Sequence, residues 1–261
     1  MLLAQLAEAG WTRWNAHLPI HALLLGRAAE PMLGLEDRID MVERGWLSQL
    51  AGRDGRQAVL ALAEGVGEQA AVAALPAEPL GFVPLDQGRA RQPWLGNVVA
   101  LGDAAAHFEP LGWFNLDLAH RQLDLLLELL PGREIDPRER AEFNRRAALM
   151  ADRVRDLLGA HYAAPGAAQF GALERSGELA LALDQHARRG RQPFFEESPL
   201  QVQEVSALFQ ALGHHPGESP LALAADPREA EAARVEFEAK ALAALYATRP
   251  YGEWMQEVLG G

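Results

Sequence analysis

The sequence predicts an α/β fold with a helix-rich C-terminal part. Up to about residue 130, short apolar stretches alternate with glycine-containing turns, which is typical of strands. Beyond Pro131-Gly132 the apolar residues recur every three or four positions, which predicts helices. We therefore expect an α/β domain over residues 1–130 and a helical domain over residues 131–261, packed against each other.

Composition excludes several classes of function. The net charge of -12 opposes binding to a phosphate backbone, so no nucleic-acid partner is expected. There are no cysteines, which excludes disulfides and zinc–thiolate sites. The most apolar windows are much shorter than the ~20 residues of a membrane span, so no membrane partner is expected. No signal-peptide pattern is visible at the N-terminus, and the expected location is the cytoplasm.

Four elements are predicted in the first 63 residues. Residues 1–10 have helical spacing, and residues 17–25 form an apolar run typical of a buried strand. Residues 43–50 and 58–63 predict two further strands, joined by a hairpin turn at residues 52–55.

The segment 64–70 fits a G-x-G-x-x-A pattern, which is one mark of a dinucleotide site. Glu64 and Glu68 place negative charge where a pyrophosphate would bind, and no clear following strand ends in the expected acidic residue. Acidic residues instead favour a helix start, where the helix dipole is positive. We predict that a helix begins here.

The later helices have clear boundaries. Asp136-Pro137 is a typical N-cap for a helix over 138–162, and Asp226-Pro227 starts a last long helix to about residue 248. Further helices are predicted over 171–189 and 199–212. A helix over 114–130 is expected to bury a face that consists of Leu116, Ala119, Leu123, Leu126 and Leu130.

The unit that precedes this last helix is the candidate functional segment. Residues 98–101 predict a short buried strand, and Gly102 at its end lets a ligand approach the backbone. Asp103 offers carboxylate oxygens to hydroxyl groups, such as the ribityl chain of a flavin. The alternative is that Asp103 only caps a turn.

The other end of the unit is a turn into the helix. Pro110-Leu111-Gly112 leads into a helix whose first N–H groups have no partner within the helix. Such a helix end favours negative charge, as found at one edge of a reduced flavin. The predicted cofactor-binding residues are Gly102, Asp103, Pro110, Leu111, Gly112 and Asn115.

These residues resemble a known family. Trp94-x-Gly96-Asn97-x3-Leu101-Gly102, followed by Phe108-Glu109-Pro110-Leu111, is similar to a motif of the flavin-dependent tryptophan halogenases. Further similar marks follow the same order, at residues 10–14, 43–47, 143–146, 153–156, 161–162 and 249–255. The resemblance covers nearly all of this chain but only the C-terminal part of a family member. It implies an FAD-dependent monooxygenase or halogenase with a separate flavin reductase and an aromatic small-molecule substrate.

The resemblance also implies an incomplete cofactor domain. In the family, the N-terminal part carries the G-x-G-x-x-G unit that holds the ADP part of FAD, and the lysine that relays hypohalous acid. Lys240 is the single lysine of this chain, and nothing connects it with that role. We therefore expect an incomplete FAD-binding, glutathione-reductase-like sheet domain packed on a helix-rich domain. Its expected partner is a missing N-terminal half or a second copy of the chain.

A second departure concerns the reaction itself. After Glu-Pro-Leu the family has Glu-Ser-Thr-Gly, whereas this chain has Gly112-Trp113-Phe114-Asn115. The carboxylate is missing, and bulky rings are expected to fill the space of the small polar residues. The neighbouring Glu109 is expected to face solvent, with a flavin-facing carboxylate as the alternative. No catalytic residue is assigned, and the chain is expected to be inactive by itself.

A third departure lies in the substrate region. The tryptophan expected near Pro199-Leu200 is missing, and Phe194 and Phe195 are expected to serve in packing. His214-His215 lacks an acidic partner, so no metal site is expected. The chain is thus interpreted as an incomplete halogenase-like flavoprotein. The alternatives are a non-catalytic interaction module and one half of a split flavoprotein.

Overall fold

A five-stranded antiparallel sheet lies at the N-terminal side of this computed structural model, which describes residues 10–30, 37–52 and 54–259. Its strands are β2 (Ile20–Ala28), β3 (Arg38–Val42), β4 (Gly45–Leu50), β5 (Arg56–Ala63) and β6 (Glu78–Pro84). Across the sheet they lie in the order β3-β4-β5-β2-β6. The strands predicted over 17–25, 43–50 and 58–63 are confirmed, and the last two pair as a hairpin. The helix predicted over residues 1–10 and Arg53 of the predicted turn lie outside the described residues, apart from Gly10.

The central strands of this sheet are covered on both faces, whereas β6 is exposed along its length. Side chains alternate along β5, so that Ala61 and Ala63 point into the main core while Leu60 and Leu62 point to the other side. The second side is closed by helix α1 (Glu68–Ala74). The helix start predicted within residues 64–70 is therefore confirmed.

Two smaller antiparallel units support the candidate segment. Strands β1 (Trp11–Arg13), β7 (Gly88–Ala90) and β10 (Ala106–His107) form one sheet, in the order β1-β7-β10, and β8 (Trp94–Leu95) pairs with β9 (Val98–Val99). The longer buried strand predicted over 98–101 is wrong. Gly96, at a φ of 58°, turns the chain tightly, so Val98 and Val99 pair locally with β8 and stay half-buried.

The C-terminal part is helical, as predicted. The helices after α1 are α2 (Phe114–Glu128), α3 (Pro137–Tyr162), α4 (Gly177–Arg189), α5 (Val202–Ala211), α6 (Pro220–Ala224), α7 (Pro227–Ala247) and α8 (Tyr251–Leu259). Asp136 caps α3, and Asp226 caps α7, each by accepting a hydrogen bond from a backbone N–H two residues later.

The helices differ in how they pack. Helix α3 buries Phe143, Ala147 and Val154 in a core that also contains Trp14 and Trp46 of the sheet region. The core is therefore continuous across residue 130. By contrast, α7 buries none of its residues against the described part of the chain.

The buried face of α2 differs from the predicted one. Phe114, Leu118, Gln122 and Leu125 are buried, whereas Leu116 and Leu123 are exposed. The prediction was wrong because α2 is apolar on two opposite sides, and helical spacing alone does not show which side meets the core.

The two capped helices provide a stability test with an internal control. Asp136→Ala should lower the free energy of unfolding by about 1 kcal/mol, because it removes a cap from a helix of the core. Asp226→Ala removes the same contact from α7 and should cost less than half as much. Urea unfolding followed by circular dichroism measures both losses. Equal losses would show that α7 is as firmly coupled to the core as α3.

Candidate functional site

The first end of the candidate site is the turn at Gly102. Gly102 is buried at a φ of 55°, and its N–H donates to Oε1 of Gln122 on α2 at 2.8 Å. A Cβ atom at this position would lie 3.2 Å from Cβ of Ala119. Glycine is therefore required both by the left-handed backbone and by close packing against α2.

Asp103 extends from this turn towards solvent. It is exposed, and it makes no hydrogen bond or ion pair with the described residues. Its carboxylate oxygens are therefore available to accept hydrogen bonds from a ligand.

The second end of the site is the turn before α2. Leu111 is buried, and Gly112 is exposed at a φ of 79°. No side chain caps the start of α2 at Trp113. Its first N–H groups are thus free to meet negative charge.

Asn115 belongs to the first turn of α2. Its Nδ2 donates to the carbonyl oxygen of Phe108 at 3.3 Å, while its buried Oδ1 has no partner among the described residues. A buried acceptor without a donor is costly, and it marks a place where a ligand donor would be stabilising.

The two aromatic residues after Gly112 have separate environments. Phe114 is buried in the core, whereas Trp113 is 55% exposed and its ring centroid lies 5.1 Å from that of Phe114. Trp113 therefore remains at the surface beside the turn, whereas the ring of Phe114 lies next to Gly112, where a Cβ atom would be 3.6 Å from Cε2 of Phe114.

Helix α2 connects the two ends of the candidate site. Gly102 packs against Ala119, and Pro110 to Asn115 form the turn and first residues of the helix. The rise of about 1.5 Å per residue separates Ala119 from Trp113 by about 9 Å along the helix axis. Gln122, which accepts the hydrogen bond from Gly102, was not among the predicted site residues. A polar residue in a predicted helix is usually assigned to the exposed side of that helix.

Glu109 lies directly before the second turn and is fully buried, with 0% exposure. Its Oε2 accepts a hydrogen bond from Nε1 of Trp46 at 2.6 Å and another from the hydroxyl of Tyr162. The expectation that Glu109 faces solvent is wrong. These donors come from β4 and from the end of α3, which are distant in sequence.

Gln87 completes this buried polar group. Its Oε1 accepts from the backbone N–H of Glu109 at 3.0 Å, and its Nε2 donates to the carbonyl oxygen of Ile20 at 2.7 Å. We call Glu109, Trp46, Tyr162 and Gln87 the Glu109 cluster. It joins the five-stranded sheet and α3 to the residue that starts the Pro110–Gly112 turn.

Burial also changes the acidity of Glu109. Removal from water raises its pKa to about 7, although the hydrogen bonds from Tyr162 and Trp46 oppose this change. Burial likewise raises the pKa of Tyr162 well above its ordinary value. Oε1 of Glu109 has no partner among the described residues, which also favours the neutral acid.

The other candidate residues lie elsewhere. Phe194 is 87% exposed, so the expectation that it serves in packing is wrong, whereas Phe195 lies under the guanidinium of Arg153 at 4.4 Å. His214 bonds through Nε2 to the carbonyl oxygen of Ala160. No group of three or more metal-ligating side chains occurs in the described ranges.

Within those same ranges, no helix has the length and apolar character needed to cross a membrane.

The raised pKa of Glu109 predicts a specific dependence of stability on pH. Between pH 4.5 and 7 the folded chain keeps a proton that the unfolded chain releases, so stability falls as the pH rises through this range. The loss should be about 3 kcal/mol. Glu109→Gln should remove this contribution, whereas Glu43→Gln, at an exposed site, should not. Urea unfolding at several pH values in this range measures the free energy of unfolding of each form. The same dependence on pH in wild type and Glu109→Gln would contradict the prediction.

Comparison with known proteins identifies relatives of this chain. The family model described as "Tryptophan halogenase" matches residues 46–198. The tryptophan 7-halogenase RebH of Lentzea aerocolonigenes is 32% identical over 85 residues, which are 33% of this chain and 16% of that protein. The tryptophan 7-halogenase KtzQ of Kutzneria sp. (strain 744) is 37% identical over 75 residues, or 29% of this chain and 14% of that protein.

Solved structures share the fold over nearly the whole chain. BrvH, a flavin-dependent halogenase from Brevundimonas sp. BAL3, matches with a TM-score of 0.86 and 20% identity, covering 98% of this chain and 56% of that one. The tryptophan 6-halogenase SttH from Streptomyces toxytricini gives a TM-score of 0.84 and 20% identity, with coverage of 97% and 56%. The predicted α/β fold with a helix-rich part is confirmed, and the chain spans about half the length of these solved halogenases.

The matched region contains all four members of the Glu109 cluster, together with the whole of α2 and α3. Because the family model accounts for more than half of the chain, this protein belongs to the tryptophan halogenase family.

Proposed function

We propose that the chain forms the flavin-facing half of an FAD-dependent, halogenase-like monooxygenase. The observation that supports this most directly is the geometry along α2. A free carboxylate at Asp103, beside a turn that packs against the middle of α2, and the uncapped start of α2 after Gly112 lie along one helix. Within this proposal, residues 1–130 form the cofactor domain and residues 131–261 the helical domain.

The residues present fit part of FAD. Asp103 would accept hydrogen bonds from the ribityl hydroxyls, and the first N–H groups of α2 would face the negative edge of the ring. The unpartnered Oδ1 of Asn115 is a further acceptor at the same end. When bound and reduced, FAD supplies the activation of oxygen. The chain's own contribution is to orient the cofactor and exclude water.

The ADP part of FAD has no equivalent partner in this sequence. The nearest glycine-rich candidate, Gly65 to Gly67, precedes α1 and is flanked by Glu64 and Glu68. Negative charge at both sides opposes a pyrophosphate. We therefore propose that FAD is held weakly by this chain without a further nucleotide-binding part.

Halogenation is not part of this proposal. Gly112 stands where the family motif has the glutamate that assists the reaction, and Trp113 stands where it has a small polar residue. Glu109 cannot replace that carboxylate without leaving its buried contacts with Trp46 and Tyr162. A separate flavin reductase, an aromatic substrate and a cytoplasmic location remain parts of the proposal.

A non-catalytic interaction module is the second candidate function. Helix α7 is 21 residues long and buries none of them against the described chain. A helix with exposed Phe237, Leu242 and Leu245 is suited to meet another protein surface. This candidate does not require FAD.

Binding of FAD separates the two candidate functions. We expect the purified chain to bind FAD, and Asp103→Ala to weaken binding at least tenfold, because a charged acceptor contributes about 1.5–3 kcal/mol. Asp124→Ala, an exposed aspartate further along α2, should change binding less than twofold. Equilibrium dialysis with FAD gives both values. No uptake of FAD by the wild type, or equal effects of the two substitutions, would contradict the flavin proposal.

Loss of halogenation can be tested separately. With FAD, a flavin reductase, NADH, chloride and tryptophan, this chain should form no chlorotryptophan, because Gly112 provides no carboxylate. Mass spectrometry of the products measures this, with SttH from Streptomyces toxytricini under the same conditions as the positive control. Chlorotryptophan that depends on this chain would show that the chemistry survives without that residue.

A further inference from the structure

A cleft at one end of the five-stranded sheet is separate from the candidate site. It has a volume of about 360 Å³ and lies where β2 begins and β5 ends, beside the chain that follows α3. None of the six predicted cofactor-binding residues lines it. We call it the sheet-end cleft. Its volume is within the range of ~300–1,000 Å³ in which proteins hold small molecules.

The buried part of the lining is apolar. Leu18, Ile20 and Ala63 line the cleft and belong to the main core. Phe170 and Leu173, from the chain after α3, are half-buried and form the opposite wall. An apolar group of a ligand would therefore leave water on entering the cleft.

Hydrogen bonds hold the walls of the cleft together. Nε2 of Gln169 donates to the carbonyl oxygen of Val42 at 2.8 Å, and the backbone N–H of Glu174 donates to the carbonyl oxygen of Ala16 at 2.9 Å. These contacts join the chain after α3 to the end of β3 and to the segment before β2. The cleft is therefore shaped by the chain itself, which lowers the cost of ordering it around a ligand.

Arg44 is held at the rim of the cleft. Its backbone has a φ of 59°, a left-handed conformation that arginine rarely adopts. Its Nη2 donates to the carbonyl oxygen of Glu64 at 2.9 Å, and a Cβ atom at Gly65 would lie 3.3 Å from that nitrogen. A guanidinium has five N–H donors, and this one makes no ion pair with the described residues. Its charge is therefore available to an anionic group.

Glu64 supplies the opposite charge at the same rim. Its side chain is exposed and makes no hydrogen bond or ion pair with the described residues, Arg44 included. A ligand that is only an anion would be repelled by Glu64, and a ligand that is only a cation would be repelled by Arg44. A molecule that carries both charges meets an opposite charge for each.

We propose that the sheet-end cleft binds a free α-amino acid with a large apolar side chain. The carboxylate of the ligand would accept hydrogen bonds from Arg44, and its ammonium group would donate to Glu64. Its side chain would lie against Phe170 and Leu173. This inference goes beyond the flavin proposal and does not depend on it, because the cleft shares no residue with the candidate site.

The experiment compares L-phenylalanine with two analogues that each lack one charged group. Phenethylamine has no carboxylate, and 3-phenylpropionate has no ammonium group. Titration of the full chain at neutral pH, followed by NMR, gives a dissociation constant for each compound. L-phenylalanine should bind at least about fivefold more tightly than either analogue, because each analogue loses one charge-assisted contact and is repelled by the charge that remains.

Three variants assign the discrimination to the two rim residues. They are Arg44→Asn, Glu64→Gln and the control Arg27→Asn. Asparagine is suited to the left-handed backbone at Arg44, and Arg44→Gln replaces this variant if it does not fold. Arg27 is an exposed arginine at the opposite end of β2, where it donates to the carbonyl oxygen of Asp54 at 3.3 Å. Circular dichroism and urea unfolding establish that each form is folded.

Each rim variant should remove one preference and leave the other. With Arg44→Asn, L-phenylalanine and phenethylamine should bind within twofold of each other, and with Glu64→Gln the same should hold for L-phenylalanine and 3-phenylpropionate. Arg27→Asn should keep both preferences. A general structural defect would not remove the two preferences one at a time. The inference is overturned if the wild type does not bind L-phenylalanine at millimolar concentration, if the three compounds bind equally, or if the rim variants discriminate as the wild type does.

Discussion

The buried carboxyl group of Glu109 is the interaction on which the candidate site depends. It has no exposure to water, and its two donors come from the sheet at Trp46 and from the end of α3 at Tyr162. A buried acidic group is costly unless it is hydrogen-bonded, so these three side chains must come together when the chain folds. They thereby fix the start of the Pro110–Gly112 turn relative to both parts of the molecule.

This arrangement separates support of the turn from the chemistry performed there. The Glu109 cluster lies inside the core, whereas Gly112 and Trp113 lie beyond it at the surface. The hydrogen bonds of Glu109 are made with Trp46, Gln87 and Tyr162, and neither of the two outer residues takes part in them. The chain can therefore keep the fold of its family around α2 even where the residues of the halogenation motif have changed.

Features set by local sequence were predictable. Asp136 with Pro137 marks the start of α3, and Gly96 and Gly102 mark turns. These features are predictable because they depend only on residues next to each other in the sequence. The environment of Glu109 was not predictable, since Trp46 and Tyr162 are 63 and 53 residues away in the sequence. Gln122 was missed for the same reason, because its partner Gly102 reaches it through the tertiary fold.

The wrong prediction for α2 has a physical meaning of its own. Sequence periodicity placed Leu116 and Leu123 in the core, but the core takes Phe114 and Leu118 on the opposite side. A surface helix usually keeps polar residues on its outer side, and this pattern makes helical faces predictable. Apolar residues on both sides remove the distinction, and they also raise the cost of leaving one side in water. The ambiguity of the pattern and the exposure of Leu116 and Leu123 therefore have one cause, a helix whose sequence is apolar on both sides.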